Sequence, residues 1–421
     1  MNKFEKGFLL GAATSAHQVE GNNIHSDLWV MEQLPHNEFD EPSLEAVDHY
    51  HRYEEDIALL AKAGLNAYRF SIEWARIEPE RGKFDDCEIE HYRKVLAFCH
   101  ENGIIPIVTM HHISSPRWLI SEGGWEKEST VEYFKNYCVY VVKHLGGLMG
   151  YVCTINCANV GAQMYSEVRN MLRQSGVELQ TGMNLPVLPE RQQMMTEAAE
   201  AFGLAEGNQI NIFLSPRTEE GDRLIMRSHE AARDSMKAVC PHLKVGVTLS
   251  LSDIQTELGG ESRAKAEWEQ DFKHYLPFLQ KDDFIGVQNY TRKLIGEKGS
   301  LPAPEGAELT EQDYEFYPEG LSNVIRKVAK ELPIPIIVTE NGLCTMDDTR
   351  RVEFIQRAVA GVQACVADGI PVKGYMYWSL LDNYEWYKGF VKHYGLIGVD
   401  RRTQNRMPKP SLSVLGGYCN I

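Results

Sequence analysis

The sequence predicts an α/β fold, a (β/α)8 TIM barrel in which eight parallel strands alternate with helices. Eight short runs rich in β-branched or aromatic residues recur along the 421-residue chain. Several of these runs are continuously apolar, as strands buried on both faces should be. Longer stretches with helical spacing of apolar residues separate them. A doubly wound sheet fits less well, because no glycine-rich turn follows the first strand and the strand count reaches eight.

The predicted elements form one domain, residues 1–421. The eight strands are predicted at Phe8–Thr14, Asn66–Ile72, Ile104–Met110, Tyr151–Asn156, Lys244–Leu251, Phe284–Tyr290, Pro335–Gly342 and Val372–Leu380. Three of the intervening helices have a clear stop signal, since each pattern ends in a glycine: Tyr53–Gly64, Cys87–Gly103 and Arg350–Gly369.

The segment from Val160 to Gly221, after the fourth strand, departs from this alternation. It is polar and shows only weak strand signals. We expect it to be an insertion over the mouth of the barrel. Loops at that end of a barrel are where sequence variation adjusts substrate choice.

Composition and charge exclude several classes of partner. The chain is 43% hydrophobic and 24% charged, and its formal net charge of -16 disfavours nucleic acid or an anionic membrane as a partner. No apolar run approaches the ~20 residues of a membrane-spanning helix. The stretch Phe8–Ala16 is similar to a short signal peptide, but Glu5 and its use as a strand disfavour that interpretation. The nine cysteines lack paired spacing and indicate reduced thiols, hence a cytoplasmic protein.

Polar and aromatic residues collect at the carboxyl ends of the predicted strands, where the chemistry of such barrels takes place. Each of these residues alone has an ordinary structural explanation. Together on one rim, they predict a pocket for a hydroxyl-rich ligand, with amides, carboxylates and imidazoles for hydrogen bonds and aromatic rings for an apolar sugar face. The set is His17, Gln18, Glu20, Arg69, Glu73, His111, His112, Asn156, Cys157, Gln288, Asn289, Tyr290, Glu340, Asn341, Trp378, Asp382, Asn383, Glu385 and Trp386.

Several longer motifs resemble the family 1 glycoside hydrolases, retaining β-glycosidases such as β-glucosidases. The resemblance runs nearly end to end, through "FLLGAATSAHQVEG", "YRFSIEWARIEP", "HHISSPRWL", "DFIGVQNYTR", "VTENGL", "GYMYWSLLDNYEW", "KHYGLIGVD" and "RMPKPS". It implies that the substrate is a small β-glycoside. Glu385 within "DNYEW" resembles the branch of the family that uses unphosphorylated sugars.

The resemblance also implies roles for individual residues. Glu340 matches the catalytic nucleophile, with Tyr290 and Arg69 as its hydrogen-bond partners. Trp378 matches the platform beneath the sugar. The residues expected to hold the glycone hydroxyls are Gln18, His112, Asn156, Glu385 and Trp386.

One position departs from the family pattern. The family carries T-F-N-E-P at the end of the fourth strand, where this chain has "TINCA" from Thr154 to Ala158, so Cys157 stands in place of the acid/base glutamate. A thiol has an unperturbed pKa of about 8.5, against about 4.3 for glutamate. An ionised Glu340 nearby would raise the pKa of the thiol further. Cys157 is therefore expected to be a weak proton donor and a poor base.

Four interpretations of Cys157 stay open. The chain is a retaining β-glycosidase that acts on O- or S-glycosides with good leaving groups, or that borrows a carboxyl from Glu167 or the Val160–Gly221 segment. Alternatively it is a transglycosylase, or an enzyme that uses an external nucleophile. In the third interpretation the thiol has a new role, as a second nucleophile or a redox-controlled acid. In the fourth, the chain is a carbohydrate-binding protein that has lost turnover.

A zinc site of Cys153, Cys157 and His112 is disfavoured, because zinc prefers four ligands and two of these positions are assigned to sugar contacts. No metal and no cofactor is predicted. The sequence does not indicate the oligomeric state.

Overall fold

The computed structural model describes residues 2–174 and 189–420. Eight parallel strands form the predicted barrel, and each begins and ends within two residues of its predicted bounds, so this prediction is confirmed. The strands are Leu9–Ala13, Ala67–Ser71, Ile105–His111, Tyr151–Ile155, Lys244–Gly246 continued by Thr248–Ser250, Ile285–Gln288, Ile336–Asn341 and Val372–Trp378. We refer to them as the first to eighth strands.

The barrel closes because the first and eighth strands pair with each other and because the fifth strand, which is divided into two segments, pairs with both of its neighbours. The first strand pairs in parallel with the eighth, where Leu9 lies opposite Gly374. The first segment of the fifth strand pairs with the fourth strand, and its second segment pairs with the sixth. A Cβ on Gly246 would lie 2.1 Å from the carbonyl oxygen of Phe284, so the absence of a side chain permits this close approach.

Helices surround the barrel and cover its apolar outer face. The three helices with predicted stop signals are observed at His49–Lys62, Asp86–Glu101 and Asp348–Ala367. The other long helices outside the segment after the fourth strand are Ser129–Leu145, Glu219–Val239, Glu261–Asp271 and Gly320–Glu331. Shorter helices lie at Ala16–Val19, Asp27–Glu32, Trp74–Ile77, Arg117–Ser121, Leu276–Leu279 and Pro410–Gly416.

The segment after the fourth strand contains two helices among its described residues, in agreement with its weak strand signals. Helices span Val160–Gln174 and Pro189–Phe202, while residues 175–188 of the predicted insertion lie outside the described residues. The second helix contacts loops that follow the first and third strands. Glu197 Oε1 lies 2.7 Å from His36 Nδ1, and Arg117 Nη2 donates to the carbonyl of Ala201 at 3.3 Å. This helix therefore lies at the carboxyl face of the barrel.

Within residues 2–174 and 189–420, no helix is both long and apolar enough to cross a bilayer.

Candidate active site

Glu340 ends the seventh strand and is only 4% exposed. Its two carboxylate oxygens have different partners. Arg69 Nη1 donates to Oε1 at 2.8 Å, and the Tyr290 hydroxyl donates to Oε2 at 2.7 Å. Burial, together with the neighbouring Glu340, raises the pKa of Tyr290 well above its ordinary value, so the phenol keeps its proton. One cation and one neutral donor therefore orient the carboxylate.

The Arg69 guanidinium connects four strands of the barrel. It is fully buried in the middle of the second strand. Besides Glu340, it donates to the carbonyl of Thr339 at 3.1 Å, to Thr109 Oγ1 at 3.1 Å and to Asn156 Oδ1 at 2.5 Å. These bonds use the donors of a fixed planar fork, so they set the guanidinium, and through it Glu340, in one orientation.

Asn156 and His112 continue this network toward the third strand. Asn156 Nδ2 lies 3.0 Å from His112 Nε2. Burial, followed by the charge of Arg69, lowers the pKa of His112 well below its ordinary value. The imidazole is therefore neutral at pH 7, and it adds a polar edge to the site without adding a charge.

Aromatic rings lie against His112 on the side of the eighth strand. The Trp378 ring is 5.4 Å from the imidazole, with 26° between the planes. Trp386, on the following loop, is 6.3 Å away and also inclined by 26°. On its other side Trp386 is nearly parallel to His17, at 6.0 Å and 8°. This wall has the apolar faces that a sugar ring packs against.

Gln18 and Glu385 form the polar edge next to this wall. Gln18 Nε2 donates to the carbonyl of Tyr384 at 2.7 Å and lies 3.5 Å from Glu385 Oε1. Burial, with the charges of Glu340 and Asp382, raises the pKa of Glu385 to about 8 against hydrogen bonds from Trp378 and Gln18. At neutral pH the Glu385 carboxyl is mostly protonated, so it can both donate and accept hydrogen bonds.

Cys157 follows the fourth strand and faces the same site. Its backbone N–H donates to Thr248 Oγ1 at 3.0 Å, and its thiol donates to Gln288 Oε1 at 2.9 Å. Burial, followed by the charge of Glu340, raises the pKa of the thiol well above its ordinary value. Among the described residues, no carboxyl is hydrogen-bonded to Cys157.

Three residues at the site have a left-handed backbone conformation, which is uncommon outside glycine. They are Ile113 (φ 69°), Cys157 (φ 46°) and Trp386 (φ 50°), each next to or part of the polar and aromatic set. Such conformations cost of the order of 1–3 kcal/mol each and concentrate at functional sites. The surrounding bonds, such as the one from Cys157 to Thr248, hold them in place.

Comparison with known proteins identifies the family. The model for "Glycosyl hydrolase family 1" matches residues 1–171 and 176–415. The chain belongs to glycosyl hydrolase family 1. It is a β-glucosidase-like glycoside hydrolase.

Similar proteins cover almost the whole of this hydrolase. A crystal structure of a β-glycosidase is 45% identical with a TM-score of 0.91, covering 99% of this chain and 97% of that chain. Beta-glucosidase A of Acetivibrio thermocellus is 28% identical, covering 97% of this chain and 96% of the relative. A 6-phospho-beta-galactosidase of Lacticaseibacillus casei is also 28% identical, covering 96% and 95%.

All ten residues singled out in this hydrolase for catalysis and sugar binding lie in one connected cluster. Hydrogen bonds join Glu340, Tyr290, Arg69, Asn156, His112 and Cys157, and Trp378 and Trp386 pack on His112. Gln18 and Glu385 form a polar pair that joins the rest through the hydrogen bond of Trp378 to Glu385. Their roles in catalysis stay predictions. Two residues without a predicted role join them: Thr248, and Gln288, which donates to Asn156 Oδ1 at 2.7 Å.

Four charged or titratable residues of the predicted rim have their hydrogen-bond partners outside this cluster and hold the loops around it. His17 pairs with Glu32 at 2.7 Å, Glu20 with Arg76 at 2.8 Å and Asp382 with Lys409 at 2.8 Å. Glu73 accepts from the Ser114 hydroxyl at 2.7 Å and from the backbone N–H of Ala75. These polar side chains are therefore explained by their structural role in holding the loops.

A cavity of about 500 Å³ lies among the helix that follows the fourth strand, the loop that follows the fifth strand and the helix Glu261–Asp271. Ser250, which lies opposite Gln288 in the parallel register, lines it, but none of the described lining residues is one of the ten candidate site residues. None of the described lining residues is aromatic. The lining includes Val160, Gln163, Met164, Ser252, Gln270 and Asp271.

Proposed function

We propose that this hydrolase is a retaining β-glycosidase that forms a glycosyl-enzyme on Glu340 and lacks a normal acid/base at Cys157. The observation that carries the proposal is the pair of bonds from Arg69 and Tyr290, which hold a buried carboxylate in one orientation beside the amide and aromatic groups of the candidate site. A nucleophile in this reaction must be ionised and fixed against the anomeric carbon.

In the first step of the proposed mechanism, a Glu340 oxygen attacks C1 of the sugar and the bond from C1 to the leaving group breaks. The leaving group takes the bonding electron pair and is protonated by solvent. In the second step, water attacks C1, the bond to Glu340 breaks, and the water proton passes to solvent. Gln18, His112, Asn156, Glu385 and Trp386 hold the sugar hydroxyls, and Trp378 supports the ring.

The substrate class follows from Cys157. General acid–base assistance contributes about 10²–10⁴ in rate, and poor leaving groups depend on it most. A thiol whose pKa is raised well above the ordinary value does not serve as a base for water at neutral pH. We therefore propose O- or S-β-glycosides with good leaving groups as substrates, with unphosphorylated sugars as the glycone.

Borrowing of a carboxyl is a less supported form of the same proposal. The Glu167 side chain, one candidate, lies outside the described residues. Among the described residues that line the cavity, Glu267 and Asp271 carry carboxyls, and the pKa of Asp271 is raised to about 7 by burial and then by Glu267. Neither of these two carboxyls is hydrogen-bonded to Cys157.

Transglycosylation is a second candidate, favoured by the absence of any carboxyl bonded to Cys157 among the described residues. Without a base that activates water, an alcohol competes with water for the glycosyl-enzyme. A cytoplasmic location also belongs to the proposal, supported by nine cysteines that are all free in the structure.

The test is covalent labelling with a 2-deoxy-2-fluoro β-glucoside that carries an activated leaving group. We expect the intact mass to rise by one sugar and peptide mapping to place the label on Glu340. The variant Glu340→Gln should take no label. The matched control Glu73→Gln, another buried strand-end glutamate, should label like the parent. Absence of the label from the parent, or a label on a residue other than Glu340, contradicts the proposal. Faster release of the sugar by added alcohol than by water favours transglycosylation.

A further inference from the structure

We infer that Gln288 is a positioning residue that fixes the thiol proton of Cys157 inside the protein, away from the leaving group. The hydrogen-bond arrangement stands on the structure alone, while its consequence for catalysis rests on the proposed function. A series of hydrogen bonds begins at Arg69 and passes through two side-chain amides, each of which has one donor end and one acceptor end.

The orientation of the Asn156 amide is set by Arg69. A guanidinium has donors and no acceptor, so the Asn156 atom facing Arg69 Nη2 must be the oxygen. The Thr248 hydroxyl, 3.2 Å away, donates to the same oxygen. The Asn156 nitrogen therefore points in the opposite direction, toward His112 Nε2 at 3.0 Å and Cys157 Sγ at 3.3 Å.

The orientation of the Gln288 amide follows from that of Asn156. Gln288 is fully buried, and one of its terminal atoms lies 2.7 Å from Asn156 Oδ1. Because that oxygen only accepts, the Gln288 atom next to it must be the nitrogen. The Gln288 oxygen then faces Cys157 Sγ at 2.9 Å, where it can only accept. The proton between sulfur and oxygen must belong to the thiol.

Both hydrogen-bonding capacities of the sulfur are thus used inside the protein. The S–H bond points at Gln288 Oε1, and the sulfur accepts from Asn156 Nδ2. The two hydrogens of Asn156 Nδ2 are in turn divided between His112 and Cys157. Arg69, which sets the orientation of the whole series of hydrogen bonds, is also bonded to Glu340. The group that orients the nucleophile therefore also orients the thiol proton.

The consequence is that Gln288 determines how sharply the enzyme discriminates between leaving groups. With the S–H bond directed at Gln288, the leaving oxygen or sulfur receives no proton from Cys157. Without the Gln288 acceptor, the S–H bond can turn about the Cβ–Sγ bond and donate to the leaving group. Activity on poor leaving groups then rises relative to activity on good ones.

Infrared spectroscopy of the S–H stretch tests the bond without requiring turnover. The band of Cys157 is obtained by subtracting the spectrum of Cys157→Ala from that of the parent. We expect it at lower frequency than the band of Cys99, whose buried thiol has no hydrogen-bond partner among the described residues. In Gln288→Met, which keeps the length of the side chain without its amide, the Cys157 band should move toward that of Cys99. The matched variant Gln363→Met, on an outer helix, should not move it.

A double-mutant cycle tests the catalytic consequence. We expect Gln288→Met to lower the ratio of kcat/KM for activated aryl over alkyl β-glucosides by about tenfold, within the range of general acid catalysis. The same substitution in a Cys157→Ala background should leave the ratio where it was in that background. An unbonded Cys157 band in the parent, or an equal change of the ratio in both backgrounds, overturns the inference. If no glycoside is turned over but the band shifts as expected, the proposed function fails and the positioning of the thiol stands.

Discussion

Glu385 provides a quantitative prediction, because its carboxyl is 8% exposed and its pKa is raised to about 8 from an ordinary value of 4.5. The perturbation is Glu385→Gln, which keeps the shape and the hydrogen-bonding oxygen but cannot ionise. In the parent, the folded state retains a proton that the unfolded state releases above about pH 4.5. The free energy of unfolding contributed by this group therefore falls as pH rises, and levels off above about pH 8.

The magnitude follows from the shift. Each pKa unit corresponds to about 1.4 kcal/mol, so a shift from 4.5 to about 8 gives at most about 5 kcal/mol across the whole window. Burial is the largest cause, and the charges of Glu340 and Asp382 act in the same direction. The Gln variant lacks this titration. Relative to the parent, it should gain stability steadily between about pH 5 and pH 8, by up to about 1.4 kcal/mol per pH unit.

The assay is urea unfolding of parent and variant at matched ionic strength from pH 5 to pH 9. The control Glu269→Gln removes a carboxylate from an exposed face of the helix Glu261–Asp271, and accounts for the loss of one negative charge. A free-energy difference between parent and Glu385→Gln that stays constant with pH would refute the reasoning. So would a difference that changes in the opposite direction, which would mean that Glu385 is ionised in the folded protein.

Two further predictions concern the reacting groups. Cys157→Glu restores a carboxyl opposite Glu340, so alkyl β-glucosides should be turned over up to about 10²–10⁴ times faster while activated aryl glucosides change little; a fall for both classes in steady-state kinetics would show that the thiol has a role of its own. Tyr290→Phe removes a hydrogen bond to the charged Glu340, worth about 1.5–3 kcal/mol, so kcat should fall about 10- to 150-fold with the mass label still on Glu340. An unchanged kcat would show that Arg69 alone orients the carboxylate.

The fold could be predicted because barrel strands buried on both faces leave a local signal. Short runs rich in β-branched or aromatic residues, several of them continuously apolar, marked all eight strands, and closing glycines marked three helices. The segment after the fourth strand left no such signal. Its helices Val160–Gln174 and Pro189–Phe202 carry many polar residues, and the second depends on contacts with distant loops such as that of His36. Contacts of this kind are set by tertiary structure rather than by local pattern.

The site was predictable to the level of residue type at strand ends, but not to the level of pairing. Glu73 follows the second strand and Glu340 lies near the end of the seventh, so their positions in the sequence are alike. The structure shows that Glu73 caps the helix Trp74–Ile77, whereas Glu340 is bonded to Arg69. Thr248 could have been found, because it is a polar residue at an inward position of an apolar strand. The acceptor end of Gln288 could not, because its orientation depends on a chain of bonds that begins on the second strand.

The contacts that hold the proposed nucleophile are largely separate from those that hold Cys157, so one position can change without the other. Glu340 is held by Arg69 from the second strand and Tyr290 beyond the sixth. Cys157 is held by Thr248 on the fifth strand and Gln288 on the sixth. Among the described residues, only Asn156 links the two sets, through Arg69. We therefore expect a substitution at position 157 to leave in place the bonds that orient Glu340. For that reason we expect Cys157→Ala to label on Glu340 with an activated 2-fluoro glucoside, and loss of the label would show that the two sets of contacts are coupled.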